Sequence, residues 1–154
     1  MTINDLIITQ INEENQEIRS FVHQAIKRHN RNVMPTAYFT NGVPVEETNV
    51  IADFIVRDAH GEIVAGLTSN IYWNCMYIND VWVHENLRNQ GIGTQLMQRA
   101  EETARREACS FIWLQTFSWQ AREFYEKFGF RIVGQLNDYP PGQTRFTLRK
   151  DLKD

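Results

Sequence analysis

The chain has 154 residues, 42% of them hydrophobic and 23% charged, which is typical of one globular domain with a substantial core. Its net charge of −3 argues against a nucleic-acid groove, which usually shows as a basic excess. No apolar run approaches the roughly 20 residues of a membrane span, and the first residues lack the pattern of a signal peptide. We therefore expect residues 1–154 to form a single cytoplasmic domain without nucleic-acid or membrane partners.

The two cysteines do not predict a metal site. Cys75 and Cys109 both lie in apolar contexts, and the sequence has none of the paired Cys or His spacings that are typical of zinc ligands. We interpret both as reduced core residues, and we expect no metal.

The first third of the chain predicts a strand, a helix and a long loop. Residues 6–11 form a short apolar run that is typical of a strand. Asn12 can cap a helix that follows, since acidic residues occupy its first turn and apolar residues recur at helical spacing up to the polar stretch 29–32. Residues 33–49 contain two prolines and no clear period, so we interpret them as a loop with room for a short helical turn.

From residue 50 onward the pattern is mainly that of strands. Residues 50–57, 62–73 and 76–83 predict an antiparallel meander. A long amphipathic helix begins near Ile92. It is followed by a strand at 111–117 and by a short helix at 121–128, which Gly129 ends. Two more strands follow at 130–136 and 144–149. This order predicts an α+β fold with a mostly antiparallel mixed sheet flanked by helices. Within it, 76–83 and 111–117 should form a parallel pair.

Residues 88–94 read Arg-Asn-Gln-Gly-Ile-Gly-Thr and join a predicted strand to the long helix. Gly91 and Gly93 lack Cβ atoms, so the backbone can turn sharply and approach a ligand closely. The first amides of the helix have no intrahelical partner, and they lie at the positive end of the helix dipole, which favours a bound phosphate. The spacing matches neither a dinucleotide-binding fingerprint nor a P-loop. On local sequence alone, an ordinary strand-to-helix turn is an equal alternative.

Three motifs in order resemble the GCN5-related N-acetyltransferase (GNAT) family. Val81-Trp82-Val83 resembles the family's central splayed strand, and Arg88-x-x-Gly91-x-Gly93 resembles its acetyl-CoA signature. Ala121-x-x-Phe124-Tyr125-x-x-x-Gly129-Phe130 resembles its later helical motif. The order of elements is similar over most of the chain. The resemblance implies the GNAT acyl-CoA N-acyltransferase fold with a splayed parallel pair, and an enzyme that transfers acetyl from acetyl-CoA to a primary amine.

The resemblance also implies where coenzyme A binds. Its pyrophosphate would lie on the residues of the glycine turn, which are Arg88, Asn89, Gln90, Gly91, Ile92, Gly93 and Thr94. Its pantetheine arm would dock like an extra strand along Val81, Trp82 and Val83. Where the family often has an asparagine that contacts this arm, the chain has Ser118, whose hydroxyl reaches less far.

Tyr125 matches the family tyrosine that protonates the departing sulfur, since a phenol with a pKa near 10 stays protonated at neutral pH. Its aromatic neighbours also allow a simple packing role. Asp80 is the candidate base that deprotonates the amine, with Glu85 and Glu46 as alternatives. Ordered water could relay the proton instead.

No motif in the sequence identifies the acceptor, so a small-molecule amine and a peptide amine are both compatible with it. Residues 33–49 and 138–146 should shape its pocket, with Tyr139 or Arg145 at the mouth, although the second segment also suits a plain hairpin turn. A non-catalytic acyl-CoA sensor or interaction module is the main alternative to an enzyme, and a nucleotide-phosphate binder is another. Exposed strand edges would allow a homodimer.

Overall fold

A computed structural model describes the backbone of residues 7–35, 39–40, 43–44 and 49–152, and the side chains of residues 7–35 and 49–152. Contacts divide the chain into two compact units, Met1–Pro44 and Val45–Asp154. The single domain over 1–154 stays a prediction. Within the described ranges, no helix is both long and apolar enough to cross a membrane.

The first unit contains helix α1, Gln16–Val33, and a short antiparallel pair of strands, β1 (Phe39–Thr40) and β2 (Val43–Pro44). The side chain of Asn15 caps α1 by accepting a hydrogen bond from the backbone amide of Ile18 at 3.0 Å. The helix ends at Val33 because Met34 precedes a proline, which disfavours helical backbone, and it adopts an extended conformation.

The structure differs from the predictions for residues 6–49 at four points. Residues 7–11 are not a strand, because no strand of the described chain pairs with them; Leu6 lies outside the described residues. The helix cap is Asn15 rather than Asn12, whose side-chain oxygen instead accepts a hydrogen bond from Gln10 at 2.7 Å. The predicted loop 33–49 contains strands β1 and β2, and its residues 36–38, 41–42 and 45–48 lie outside the description. Helix α1 runs slightly past its predicted end at 29–32.

The second unit is a seven-stranded sheet with two helices. Its strands are β3 (Val50–Ile51), β4 (Phe54–Arg57), β5 (Ile63–Tyr72), β6 (Cys75–Val83), β7 (Phe111–Phe117), β8 (Arg131–Asn137) and β9 (Thr144–Asp151). Helix α2 (Ile92–Arg106) follows β6 after a 3-10 turn at Glu85–Leu87, and α3 (Arg122–Lys127) follows β7. Every strand pair is antiparallel except β6 and β7, so the predicted mixed sheet and its parallel pair are confirmed.

The strands lie in the order β3-β5-β6-β7-β9-β8, and β4 also pairs with β5. The predicted single strand 50–57 is therefore two strands, β3 and β4, with a break at Ala52 and Asp53. The break arises because the Asp53 carboxylate accepts a hydrogen bond from the Ser69 amide at 2.9 Å. The Ser69 hydroxyl in turn donates to the Ala52 carbonyl. At the other end of the sheet, β8 is an edge strand with mostly exposed residues, and the homodimer through such an edge stays a prediction.

Helix α2 packs on β5 and β6, and the core of this unit lies beneath it. Its buried side chains recur at helical spacing, which is the reason for the amphipathic pattern of the sequence. They pack with alternate residues of the strands, among them Leu67, Met76, Ile78, Ile112, Leu114 and Leu148. This packing holds the N-terminus of α2 beside the end of β6.

An ionic cluster ties α2 to the last strand, with Glu101 and Lys150 mostly buried and Arg105 about half exposed. Glu101 accepts hydrogen bonds from Lys150 at 2.5 Å and from Arg105 at 2.8 Å, and Arg105 also donates to the Leu152 carbonyl at 2.8 Å. Burial by itself raises the pKa of Glu101, but the hydrogen bonds and charges of Lys150 and Arg105 outweigh it, so the pKa lies below its ordinary value. A lowered pKa means that the carboxylate stabilises the fold above the ordinary glutamate pKa, and that this stabilisation is lost as the pH falls through the lower folded pKa.

We expect Glu101→Gln to lower the free energy of unfolding by about 1–3 kcal/mol at pH 7, because Lys150 loses its charged partner in a largely buried position. The neighbouring Glu102→Gln is the matched control, since Glu102 pairs with Arg99 at an exposed site and should cost less than about 0.5 kcal/mol. Urea unfolding at several pH values measures both. The difference between wild type and Glu101→Gln should shrink as the pH falls below the ordinary glutamate range, and a difference independent of pH would contradict the prediction.

Candidate active site

Strands β6 and β7 pair for only part of their length. The pairing runs from Cys75 opposite Phe111 to Ile78 opposite Leu114, and within the described residues the two strands do not pair beyond that point. Residues 80–83 stay paired with β5 on their other edge, and residues 115–117 stay paired with β9. The two strands therefore splay, and the edge of β6 that faces the gap keeps unpaired backbone groups, which a ligand with amide groups can bind.

A register shift marks the start of the gap. Ile78 lies opposite Ser69 and Asp80 lies opposite Thr68, so Asn79 is an extra residue in β6. The Asp80 carboxylate accepts a hydrogen bond from the Thr68 hydroxyl at 3.4 Å. A bulge of this kind changes the direction of the strand, and here it coincides with the point where β6 leaves β7.

The N-terminus of α2 presents its first amides without a side-chain cap. Gly91 occupies the cap position in the left-handed region, with φ of 81°, where a residue with a Cβ would be strained. The first turn contains no acidic side chain, and the first backbone hydrogen bond of the helix runs from Gln95 to the Gly91 carbonyl at 3.0 Å. The preceding amides of Ile92, Gly93 and Thr94 are therefore available to an anion.

A cavity of about 450 Å³ joins these two features. Its volume lies within the range of small-molecule sites. It is lined by Val81 and Val83 of β6, by the turn and first residues of α2, and by Ala121, Phe124 and Tyr125 of the α3 region. The predicted residues that line it are Val81, Val83, Arg88, Asn89, Gly91, Ile92, Gly93, Thr94 and Tyr125.

Three predicted cofactor residues do not line this cavity. Trp82 lies between Val81 and Val83, and alternation along the strand turns its half-exposed side chain away. The Gln90 side chain donates back to the Asn86 carbonyl at 3.0 Å. Ser118 lies in a neighbouring cavity of about 570 Å³, where its hydroxyl donates to Gln143 at 2.6 Å and accepts from the Thr144 amide at 3.2 Å. That hydroxyl is thus engaged in holding the turn before β9.

The side chain of Arg88 is also tied to the protein. Its Nε donates to the Val83 carbonyl at 3.0 Å, which holds the guanidinium at the end of β6. Arg88 is exposed and lines the cavity, so its remaining donors lie beside the amides of α2. An arginine in this position adds positive charge to the anion site formed by those amides.

Tyr125 and Asp80 interact electrostatically across the site. Burial raises the pKa of Tyr125, and the negative charge of Asp80 raises it further. The ring packs edge-on against Phe124 at 5.2 Å and Phe130 at 6.1 Å between ring centroids. A tyrosine whose pKa is raised stays protonated at neutral pH, so it can donate a proton but cannot serve as a base there.

Neither exposure nor the cavity lining separates Asp80 from the alternative base Glu85. Asp80 on β6 and Glu85 in the 3-10 turn that follows are both exposed, and neither lines the cavity. Glu46 lies outside the described residues. Among these carboxylates, Asp80 is the one whose charge raises the pKa of Tyr125.

Sequence reasoning did not assign three cavity residues to the site. Ala121 and Phe124 belong to the helical motif around Tyr125, so their place in that motif was an available signal. Leu87 enters the cavity from the 3-10 turn, and its position depends on the hydrogen bond of that turn from the Leu87 amide to the His84 carbonyl at 2.9 Å. No sequence pattern indicated it.

Comparisons with known proteins agree with this geometry. A family model described as the acetyltransferase (GNAT) family matches residues 15–130. A blasticidin-S acetyltransferase from Streptomyces morookaense is 37% identical over 93 residues, which cover 60% of this chain and 68% of that protein. An acetyltransferase structure from Bacillus cereus ATCC 14579 matches with a TM-score of 0.80 and 27% identity, covering 94% of this chain and 98% of that one. An acetyltransferase structure from Bacillus anthracis str. Ames in complex with acetyl coenzyme A matches with a TM-score of 0.58 and 25% identity, covering 66% and 62% of the two chains.

Proposed function

Because the chain belongs to the acetyltransferase (GNAT) family, we propose that its cavity binds acetyl-CoA and that the enzyme acetylates the primary amine of a small molecule. That the chain is an acetyl-CoA-dependent N-acetyltransferase follows from its family. The observation that carries the proposed site is that one cavity contains both the uncapped N-terminus of α2 and the open edge of β6. The Streptomyces relative is named for blasticidin S, which supports a small-molecule acceptor over a protein.

The two halves of the cavity suit the two ends of the donor. The α2 amides from Ile92 to Thr94, with Arg88 beside them, would hold the pyrophosphate without a metal ion. The open edge of β6 at Val81 and Val83 would hold the amide-bearing arm by main-chain hydrogen bonds. Ser118 has little capacity left for this arm, since its hydroxyl already serves Gln143 and Thr144.

Acetyl-CoA, when bound, supplies a thioester carbonyl that a neutral amine can attack. The amine must first lose a proton, and we assign that proton to Asp80, which lies at the start of the gap. A backbone amide of the open β6 edge would stabilise the developing oxyanion. Attack leaves the nitrogen with one proton too many, and this proton passes to water. Tyr125, which stays protonated, would give its proton to the leaving sulfur and recover one from water, so that the products are the acetylated amine and CoA thiol.

A thiol-release assay with acetyl-CoA and a panel of small primary amines tests this function. We expect turnover with at least one amine class, dependent on both substrates. Thermal melts with CoA, ATP and NAD test the donor site separately, because a ligand at a hundred times its Kd adds about 2.7 kcal/mol of stability. Stabilisation by CoA with no turnover for any amine would instead favour the non-catalytic sensor.

A further inference from the structure

Arg145 has a buried side-chain donor without a hydrogen-bond partner. Its Nη2 donates to the Gln115 side-chain oxygen at 2.5 Å. Its Nε is buried, and among the described residues it is the buried side-chain polar atom that has no hydrogen-bond partner. A charged group with unused donors in a largely buried position is costly and requires an explanation. The Nε itself is closed to a ligand, but Arg145 as a whole is only partly buried, so an anionic ligand that binds its accessible donors would offset this charge.

Two aromatic rings lie close to this arginine, and a third ring stacks on one of them. Phe117 and Trp119 stack with centroids 4.5 Å apart and an interplanar angle of 6°, and Tyr139 lies 6.5 Å from Phe117. The guanidinium carbon of Arg145 lies 5.5 Å from the Phe117 ring centroid and 6.0 Å from that of Tyr139. Trp119 and Tyr139 are about half exposed, at 56% and 49%, so their faces are accessible to a ligand. Because a cation already lies over these rings, they are poorly suited to hold a second cation.

The side-chain partner of this arginine borders the gap between β6 and β7. Gln115 is the first residue of β7 beyond the last pair with β6, and Arg145 lies on β9, where it pairs with Phe117 of β7. Along β7, Ile112, Leu114 and Thr116 are buried, whereas Gln115 and Phe117 alternate with them and face the other side of the sheet. Arg145 and its rings are therefore on the side of the gap opposite the core that α2 covers, where an amine could reach a thioester held in the gap.

We propose that the amine acceptor carries a carboxylate, which Arg145 binds, and a flat or apolar body that lies on the rings of Phe117, Trp119 and Tyr139. Arginine binds carboxylates through several directed donors, and Gln115 holds this guanidinium in place. The same positive charge disfavours polyamines. The identification of the carboxylate ligand as the amine acceptor rests on the proposed function. The binding of a carboxylate at Arg145 can be measured without turnover.

The test uses matched pairs of ligands in which a carboxylate is replaced by its carboxamide. N-acetylphenylalanine and N-acetylphenylalaninamide form one pair, and N-acetyl ω-amino acids of increasing length form the others. Calorimetry in the presence of CoA gives the Kd values for wild type, Arg145→Gln, Arg145→Lys and Arg149→Gln. Arg149 is the control because it lies on the same strand and face but contacts Phe111 and Asp151, away from the gap. Thiol release with the corresponding free amines is measured in parallel.

We expect at least one carboxylate to bind wild type about tenfold more tightly than its carboxamide, since the loss of one charge-assisted interaction corresponds to about tenfold or more. Arg145→Gln should reduce this preference to within about twofold, Arg145→Lys should keep part of it, and Arg149→Gln should keep all of it. If carboxylate and carboxamide bind equally in every pair, or if no carboxylate binds, the inference is overturned. Turnover of other amines would in that case still support the proposed function. A preference for carboxylates without turnover of any amine would sustain the carboxylate site at Arg145 and count against the proposed function.

Discussion

Gly93→Asp should abolish tight CoA binding and leave the protein folded, with a stability equal to or above that of wild type. A Cβ at position 93 lies at ordinary contact distance, 3.5 Å from Phe124 and 3.9 Å from Val83, so the backbone accepts a side chain there. A carboxylate in the first turn of α2 interacts favourably with the helix dipole, by about 0.3–1 kcal/mol. The same carboxylate occupies the anion site and repels a pyrophosphate, by about 4 kcal/mol for a pair of charges at 4 Å and an effective dielectric constant near 20.

Calorimetric titration with CoA should show a Kd raised by at least about 100-fold in Gly93→Asp, because each 1.4 kcal/mol is a factor of ten. Gly93→Asn is the matched control, since it has the same shape without the charge. The affinity of the Asp variant should recover in part at high ionic strength, which screens exposed charges, whereas that of the Asn variant should not. If Asp and Asn at position 93 weaken CoA equally, the pyrophosphate does not lie at the N-terminus of α2.

The sequence predicts those parts of the site that are formed by residues close together in the chain. The turn 88–94 can be recognised in the sequence for two reasons. Gly91 suits the positive φ that it adopts, and the amphipathic pattern of α2 is unbroken from Ile92 onward. The apolar and aromatic residues 111–117 predict strand β7 with its observed limits. The splay was implied only by family resemblance, since nothing in the residues of β6 states where its pairing with β7 ends.

Tertiary contacts account for what the sequence did not predict. Asn12 and Asn15 are both good helix caps, and the choice between them depends on which side chain reaches a backbone amide. The Ser118 hydroxyl is engaged by Gln143 and Thr144, which lie 25 and 26 positions further along the chain. The unsatisfied Nε of Arg145 follows from the packing of β7 against β9. Such contacts join distant positions, so no local pattern contains them.

The arrangement of Tyr125 and Asp80 couples the two proton transfers of the proposed reaction. The negative charge of Asp80 is the second cause, after burial, of the raised pKa of Tyr125. A group proposed as the base therefore helps to keep the proposed acid protonated. Removal of Asp80 should therefore alter the pH dependence contributed by Tyr125, and this effect separates a chemical role of Tyr125 from a packing role.

Tyr125→Phe should lower kcat by about 100-fold or more, the usual contribution of a general acid, while the Kd for CoA changes by less than about twofold. The phenylalanine ring keeps the contacts with Phe124 and Phe130, so thermal stability should be preserved. Wild-type activity should persist on the alkaline side beyond the ordinary tyrosine pKa near 10, because the raised pKa keeps the hydroxyl protonated to higher pH. Unchanged turnover across the whole pH range would leave Tyr125 with packing alone.

Asp80→Asn should shift the alkaline fall of kcat/KM to lower pH. The substitution removes the negative charge that helps to raise the pKa of Tyr125, so the tyrosine ionises earlier, while burial keeps its pKa above the ordinary value. The same variant should lower kcat by about 100-fold if Asp80 accepts the amine proton. Glu85→Gln is the control, because Glu85 is an exposed carboxylate in the turn after β6 that is not among the causes of the raised pKa of Tyr125. An unchanged kcat in Asp80→Asn together with a shifted alkaline side would retain the electrostatic role of Asp80 and assign deprotonation of the amine to water.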